Sequence, residues 1–193
     1  EAGVEIIIMD DGFQNPSLEK TISLVVVDAQ SGFGNGHVIP KGPLREPVDI
    51  GLARADAVIL MGDGEPPHEL ARFDGPILKA RITPVAPPAA GNYVAFAGIG
   101  RPEKFFDTLR ACGTAPIDEV PFADHHPYKD RDLRYLRALA DDHDAQLITT
   151  EKDFVRLPPE QRDGIVTLPV TAEFESKEAL ANLLRPVTEA PVS

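Results

Sequence analysis

The chain has 193 residues, 42% hydrophobic and 26% charged, a globular composition with enough apolar material for a packed core and unlike that of a disordered chain. Its 19 Lys and Arg face 31 Asp and Glu for a net charge of -12. The acid excess is spread over both halves, which excludes a basic face for sequence-independent nucleic-acid binding or for docking onto anionic lipid. The single cysteine excludes an internal disulfide and a Cys-built zinc site.

Val4–Met9 is a β-branched run closed by Asp10-Asp11-Gly12, and it reads as a buried strand and its turn. A strand already under way by Val4 reads as a cut edge, and the chain as a fragment. Ile22–Val27 repeats the pattern and ends at Asp28; Ala57–Met61 repeats it again and ends at Gly62-Asp63-Gly64. These runs are continuously apolar rather than alternating, which predicts parallel strands covered on both faces and joined by crossovers. None approaches the length needed to cross a bilayer, and the opening residues carry no signal-peptide pattern.

Residues 74–92, with a short strand over Ile77–Ile82 and then Pro84, Pro87, Pro88 and Gly91, read as a linker. Beyond it the pattern predicts a strand Tyr93–Ala97 and a helix Pro102–Cys112, with Pro102 at its first position and Gly113 just past its end. A strand Ile117–Phe122 follows, then a helix Asp130–Asp142 with Leu133, Leu136, Leu139 and Ala140 on one face. Next come a strand Gln146–Thr149, a short helix capped by Thr150 and running through Leu157, a strand Ile165–Val170, and a helix from Ser176 to Leu184. The alternation defines a second α/β unit. The expected organisation is thus a first domain over 1–74, a hinge over 75–92 and a smaller α/β domain over 93–193.

Chemistry in parallel sheets collects at the carboxyl ends of the strands, where Asp10, Asp11, Asp28 and the loop Ser31–Gly36 fall. An apolar run followed by Asp10-Asp11 suits Mg²⁺, since carboxylates on a rigid strand end hold the ion while it neutralises phosphate oxygens. Taken alone the pair is equally a solvated turn. Gln14 and Asn15 follow as neutral hydrogen-bonding groups, with Asn15-Pro16 also reading as a plain turn. Neither Ser31–Gly36, where His37 replaces the third glycine, nor Gly98-Ile99-Gly100, where Glu103 does, matches the dinucleotide fingerprint. Arg45 in Gly42-Pro43-Leu44-Arg45-Glu46-Pro47 can grip a phosphate as a fork, or simply pair with Glu46 at the surface. Asp124-His125-His126 sets imidazoles beside a carboxylate, which suits proton transfer and equally a polar loop. Thr149–Asp153 closes a strand and opens a helix, an anion site by geometry and ordinary capping by residue type.

Ile8–Asn15, Gly32–Gly36, Gly42–Pro47, Gly98–Phe106, Asp124–His126 and Thr149–Asp153, in that order along the chain, resemble the tetraacyldisaccharide 4'-kinase family, the lipid A 4'-kinases of Gram-negative bacteria. The resemblance implies an α/β, P-loop NTPase-like parallel sheet, here its distal half, plus the smaller α/β domain. It implies a kinase using ATP and Mg²⁺ to phosphorylate the 4'-hydroxyl of an acylated glucosamine disaccharide 1-phosphate at the cytoplasmic face of the inner membrane. It places the metal at Asp10 and Asp11, the nucleotide near these and Gln14, the substrate near Asn15, Arg45 and Glu46, and catalysis on Asp11 and on His125 paired with an upstream Asp. The family's phosphate loop and membrane-contacting segment also lie upstream, and nothing in the 193 residues matches G-x-x-x-x-G-K-[ST]. The chain alone is therefore expected to be inactive.

Two other classes compete. A DHH-type metal-dependent phosphohydrolase would draw on Asp124–His126 with Asp10, Asp11 and Asp28. A non-catalytic α/β binding module would leave Asp10 and Asp11 as turn formers.

Overall fold

The computed structural model describes residues 6–189. In chain order its elements are β1 (Leu24–Asp28), α1 (Val48–Leu52), β2 (Ala57–Met61), β3 (Ile77–Pro84), β4 (Tyr93–Ala97), α2 (Pro102–Ala111), β5 (Asp118–Pro121), α3 (Asp130–Asp142), β6 (Gln146–Thr150), α4 (Glu151–Phe154), β7 (Ile165–Leu168), β8 (Val170–Phe174) and α5 (Lys177–Thr188). They divide into two units, Glu1–Ile82 with Ala172–Ser193, and Thr83–Thr171.

In the first unit β1, β2 and β3 run parallel, with Val27 opposite Leu60 and Leu60 opposite Lys79. Ala57, Val58, Ile59 and Leu60 of the central strand are all buried, as a continuous apolar run requires when both its faces are covered. Val27, Leu52, Val58, Leu60 and Leu70 form the core. The sheet order is β1-β2-β3-β8. Lys79 O accepts the Glu175 N–H and Arg81 pairs with Glu173 at 3.0 Å, so the descending partner numbers make β8 an antiparallel edge on an otherwise parallel sheet. The chain from 172 onward thereby returns to the first unit. Ser176 caps α5 by accepting the Ala179 N–H at 3.1 Å.

The second unit is a parallel sheet in the order β5-β4-β6-β7, with Val94 between Asp118 and Leu147 and Ile148 opposite Val166. β4 is buried along its whole length and feeds two cores by alternation. Val94 and Phe96 pack with Leu133 and Leu136 of α3, while Tyr93 and Ala95 pack with Phe105, Phe106 and Leu109 of α2. The carboxyl ends of β4 and β6 open onto Gly98 and Thr150, where this unit gathers its polar side chains.

Several expectations are corrected. Ile6–Met9 forms no strand, and its side chains are exposed, Ile8 to 91%; Val4 and Glu5 lie outside the described residues. A β-branched run becomes a strand only where a neighbour supplies its hydrogen-bond ladder, and no described strand pairs with it. The division into 1–74, 75–92 and 93–193 differs from the observed units, because residues 77–84 are a full strand of the first sheet and the chain's last helix rejoins that unit. The run Ile165–Val170 is two strands separated by Pro169, which has no N–H to carry a ladder onward. The helix after Thr150 stops at Phe154 rather than running through Leu157, and Pro158, with no N–H and a ring that disfavours helical backbone at Leu157, bars its continuation.

Candidate functional site

The first unit gathers its motif residues on one turn and one loop. Asp11 has a φ of 52°, a left-handed conformation Asp tolerates better than most residues. Its Oδ1 accepts from Arg45 Nη1 at 2.7 Å and its Oδ2 from Nη2 at 2.8 Å, a bidentate fork. The hydrogen bond, and after it the charge, of the Arg45 guanidinium holds the Asp11 carboxyl below its ordinary value. The Arg45 loop is seated by Gly42: a Cβ there would fall 2.1 Å from Asn35 Oδ1 and 2.3 Å from the His37 carbonyl. Glu46 accepts from Gln14 Nε2 at 3.0 Å and from Arg54 Nη2 at 2.5 Å, and the Arg54 guanidinium lies 4.9 Å from the Phe13 ring centroid. A cleft of about 220 Å³ adjoins these groups, lined by Phe13, Gln14, Val26, Phe33, Arg45 and Glu46 among others.

Asp11, Gln14, Arg45 and Glu46 therefore meet. Asp10 is exposed beside them and takes no part in the network. Asn15 does not join it, since its Oδ1 closes a turn on the Ser17 N–H at 2.9 Å. Asp28 likewise caps its own loop, accepting the Gln30 and Ser31 N–H groups at 3.0 Å. Asp10 and Asp11 are vicinal, exposed carboxylates of the kind Mg²⁺ takes. Both Asp11 oxygens are engaged by Arg45, however, so the pair would suit the ion only where Arg45 releases one of them. That ion takes one or two carboxylates and fills its shell with water and phosphate oxygens.

In the second unit His125 stands at φ 58° with its N–H on the Gly98 carbonyl at 3.1 Å. Its Nδ1 lies 3.0 Å from Arg156 Nη2, and its Nε2 lies 3.8 Å from Asp124 Oδ2. Arg156 Nη1 donates to the Gly98 carbonyl at 3.0 Å and to Asp153 Oδ1 at 3.2 Å. Asp153 is fully buried, and its Oδ2 accepts the Gly98 N–H at 3.0 Å and the Thr150 hydroxyl at 2.8 Å. Gly98 leaves little room for a side chain, because a Cβ would meet Tyr128 Oη at 3.0 Å and the Ala123 carbonyl at 3.2 Å. Burial pushes the Tyr128 phenol above its ordinary value, helped by the Asp153 charge.

His126 has a structural task. Its Nε2 pairs with Asp132 Oδ2 at 3.0 Å, and its ring lies 4.7 Å from that of Phe122. Asp132, also accepting the Lys129 N–H at 3.0 Å, joins this histidine to the first turn of α3. The hydrogen bond from His126 is the largest cause of its lowered carboxyl. Among the described residues no group of three or more His, Cys, Asp or Glu is arranged to hold a metal. Sequence reasoning passed over Arg54 and Arg156. For Arg156 a signal existed, the i, i+3 spacing from Asp153 that sets opposite charges on one helical face.

Among solved structures the fold matches a crystal structure of LpxK from Aquifex aeolicus in complex with ATP. The TM-score is 0.63 at 22% identity, over 91% of this chain and 55% of that one. The fold class is α/β, a mostly parallel sheet with a second α/β unit. The family model described as tetraacyldisaccharide-1-P 4'-kinase, LpxK, matches residues 1–189, and the chain belongs to this family. The tetraacyldisaccharide 4'-kinase of Hyphomonas neptunium is 58% identical over 96% of this chain and 56% of its own length. That of Maricaulis maris is 53% identical over 97% and 57%. The chain thus spans little more than half the length of the curated relatives it matches.

Proposed function

We propose that this chain is part of an ATP-dependent kinase that phosphorylates the 4'-hydroxyl of tetraacyldisaccharide 1-phosphate in lipid A biosynthesis. The observation that carries the reading is the meeting of Asp11, Gln14, Arg45 and Glu46, from two motifs more than 30 residues apart, beside one cleft. Asp10 and Asp11 would hold Mg²⁺, which when bound supplies charge neutralisation on the phosphate oxygens. Arg45 presents a planar fork that suits a phosphate oxygen as well as it suits Asp11. Gln14 touches that fork, its Oε1 accepting from Arg45 Nη1 at 3.5 Å, and Glu46 holds Gln14 in place by accepting from its Nε2. His125 belongs to the proton-transfer side of the reaction, with its partner Asp and the phosphate cradle supplied by the rest of the protein. Work at the cytoplasmic face of the inner membrane, through contacts made by a further segment, is part of the same proposal. Among the described residues no helix is long and apolar enough to cross a membrane.

The test is a chimera in which the remainder of the Hyphomonas neptunium relative is joined ahead of this chain. It should transfer the γ-phosphoryl of MgATP to the tetraacylated acceptor, and Asp11→Asn should abolish the transfer. A folded chimera that hydrolyses or transfers nothing, beside an active parent enzyme, would overturn the proposal.

A further inference from the structure

Resting on the kinase reading only for the role of His125, we propose that Arg156 is the positioning residue of this histidine, fixing its neutral ring as the Nε2–H tautomer from an anchor on buried Asp153. A guanidinium donates and cannot accept, and in a protein it does not lose its proton. The ring nitrogen 3.0 Å from Arg156 Nη2 is Nδ1, so in this contact Nδ1 carries the lone pair and the ring proton of the neutral form sits on Nε2.

Arg156 is not free to swing away. Its Nη1 bridges the Gly98 carbonyl and Asp153 Oδ1, and its side chain is only 22% exposed. Asp153 is fully buried, so its carboxylate needs a cation beside it as well as hydrogen bonds. Arg156, three residues further along the chain, supplies it. The Gly98 carbonyl that receives Arg156 Nη1 also receives the His125 N–H. Ring and backbone of His125 are thereby referenced to one residue, which is how a side chain is held in a single geometry for proton transfer.

The Nε2 side stays open. The facing acid, Asp124, is 3.8 Å away, beyond hydrogen-bond distance, and the His125 side chain is 70% exposed. A fixed Nε2–H facing outward suits a donor to a substrate-side oxygen or to a carboxylate partner. The assignment also gives a task to Gly98-Ile99-Gly100 and Thr149–Asp153, motifs that turn and capping chemistry alone explain only locally.

The test uses this chain labelled with ¹⁵N-histidine and long-range ¹H–¹⁵N spectra recorded alkaline to the ring titration, with His125 assigned through His125→Gln. The chain should give an unprotonated, acceptor-type Nδ1 and a protonated Nε2 for His125. In Arg156→Met, and in Arg156→Lys, which keeps a cation for Asp153 but cannot span the three acceptors, both resonances should move toward the values of a tautomer mixture. His126, held by Asp132, reports in the same spectra that the unit is folded; if Arg156→Met unfolds, Arg156→Lys decides. A proton on Nδ1 in the unaltered chain, or His125 resonances unchanged in a folded variant, would overturn the proposal. No nucleotide or acceptor enters this measurement, so its failure is separate from failure of the kinase reading.

Discussion

Asp11 and Arg45 are 34 positions apart, and their pairing is what fixes the exposed turn at Asp11. An Asp in left-handed backbone has few reasons to persist on an exposed turn unless its side chain is held, and the guanidinium fork holds it. Because both side chains are more than half exposed, the pair orients more than it stabilises. Asp11→Asn should therefore leave the melting temperature nearly unchanged. It should weaken Mn²⁺ binding in the presence of ATP by roughly tenfold or more, read by electron paramagnetic resonance; equal affinity in the variant would remove Asp11 from the metal site. Asp132 behaves differently with pH. Its folded carboxyl lies below the ordinary 3.8, first because of the hydrogen bond from His126. The stability it contributes is therefore present above pH about 4 and lost as pH falls through the folded value. The melting temperature of Asp132→Asn should fall short of the unaltered chain's at pH 7, and the gap should narrow as pH is lowered below about 4, in thermal scans across that range.

At the scale of elements, the second unit is ordered by β4. All five of its residues are buried, and successive side chains feed α3 and α2 in turn. Leu109 of α2 and Leu136 of α3 are each fully buried on opposite sides of the sheet. Leu109→Ala should cost about 2–5 kcal/mol in urea unfolding, from lost transfer and a cavity that close packing cannot refill. A cost under about 0.5 kcal/mol, the range of ordinary surface substitutions, would mean that α2 does not pack as described. These elements were legible because each signal is local: β4 and α3 run between the residues their patterns predict, and Thr150 caps α4 as its spacing suggests. β8 was not legible, since an edge strand with mostly exposed side chains lacks an apolar pattern and exists because β3 offers a ladder.

For the whole molecule, a kinase that works by positioning and electrostatic stabilisation needs a cradle of backbone N–H groups and a lysine around the phosphates. The 193 residues contain no phosphate-loop match. The chain by itself should therefore turn over no ATP in a γ-labelled assay with the lipid acceptor, and acceptor-dependent product would show that the cradle lies within it.

Sequence by itself determined the α/β class, the positions of most strands and helices, and the family, because apolar periodicity and short motifs are written in consecutive residues. It also marked Asp10, Asp11, Gln14, Asn15, Arg45, Glu46 and His125 as candidates. Only the tertiary structure decided that Asp11 and not Asp10 takes the Arg45 fork, that Asn15 and His126 are engaged in holding the fold, and that Arg156 stands against His125. It also left Ile6–Met9 outside any strand. In each case the deciding partner, or its lack, is far along the chain, and a hydrogen bond or a strand ladder has no local pattern to announce which distant group completes it.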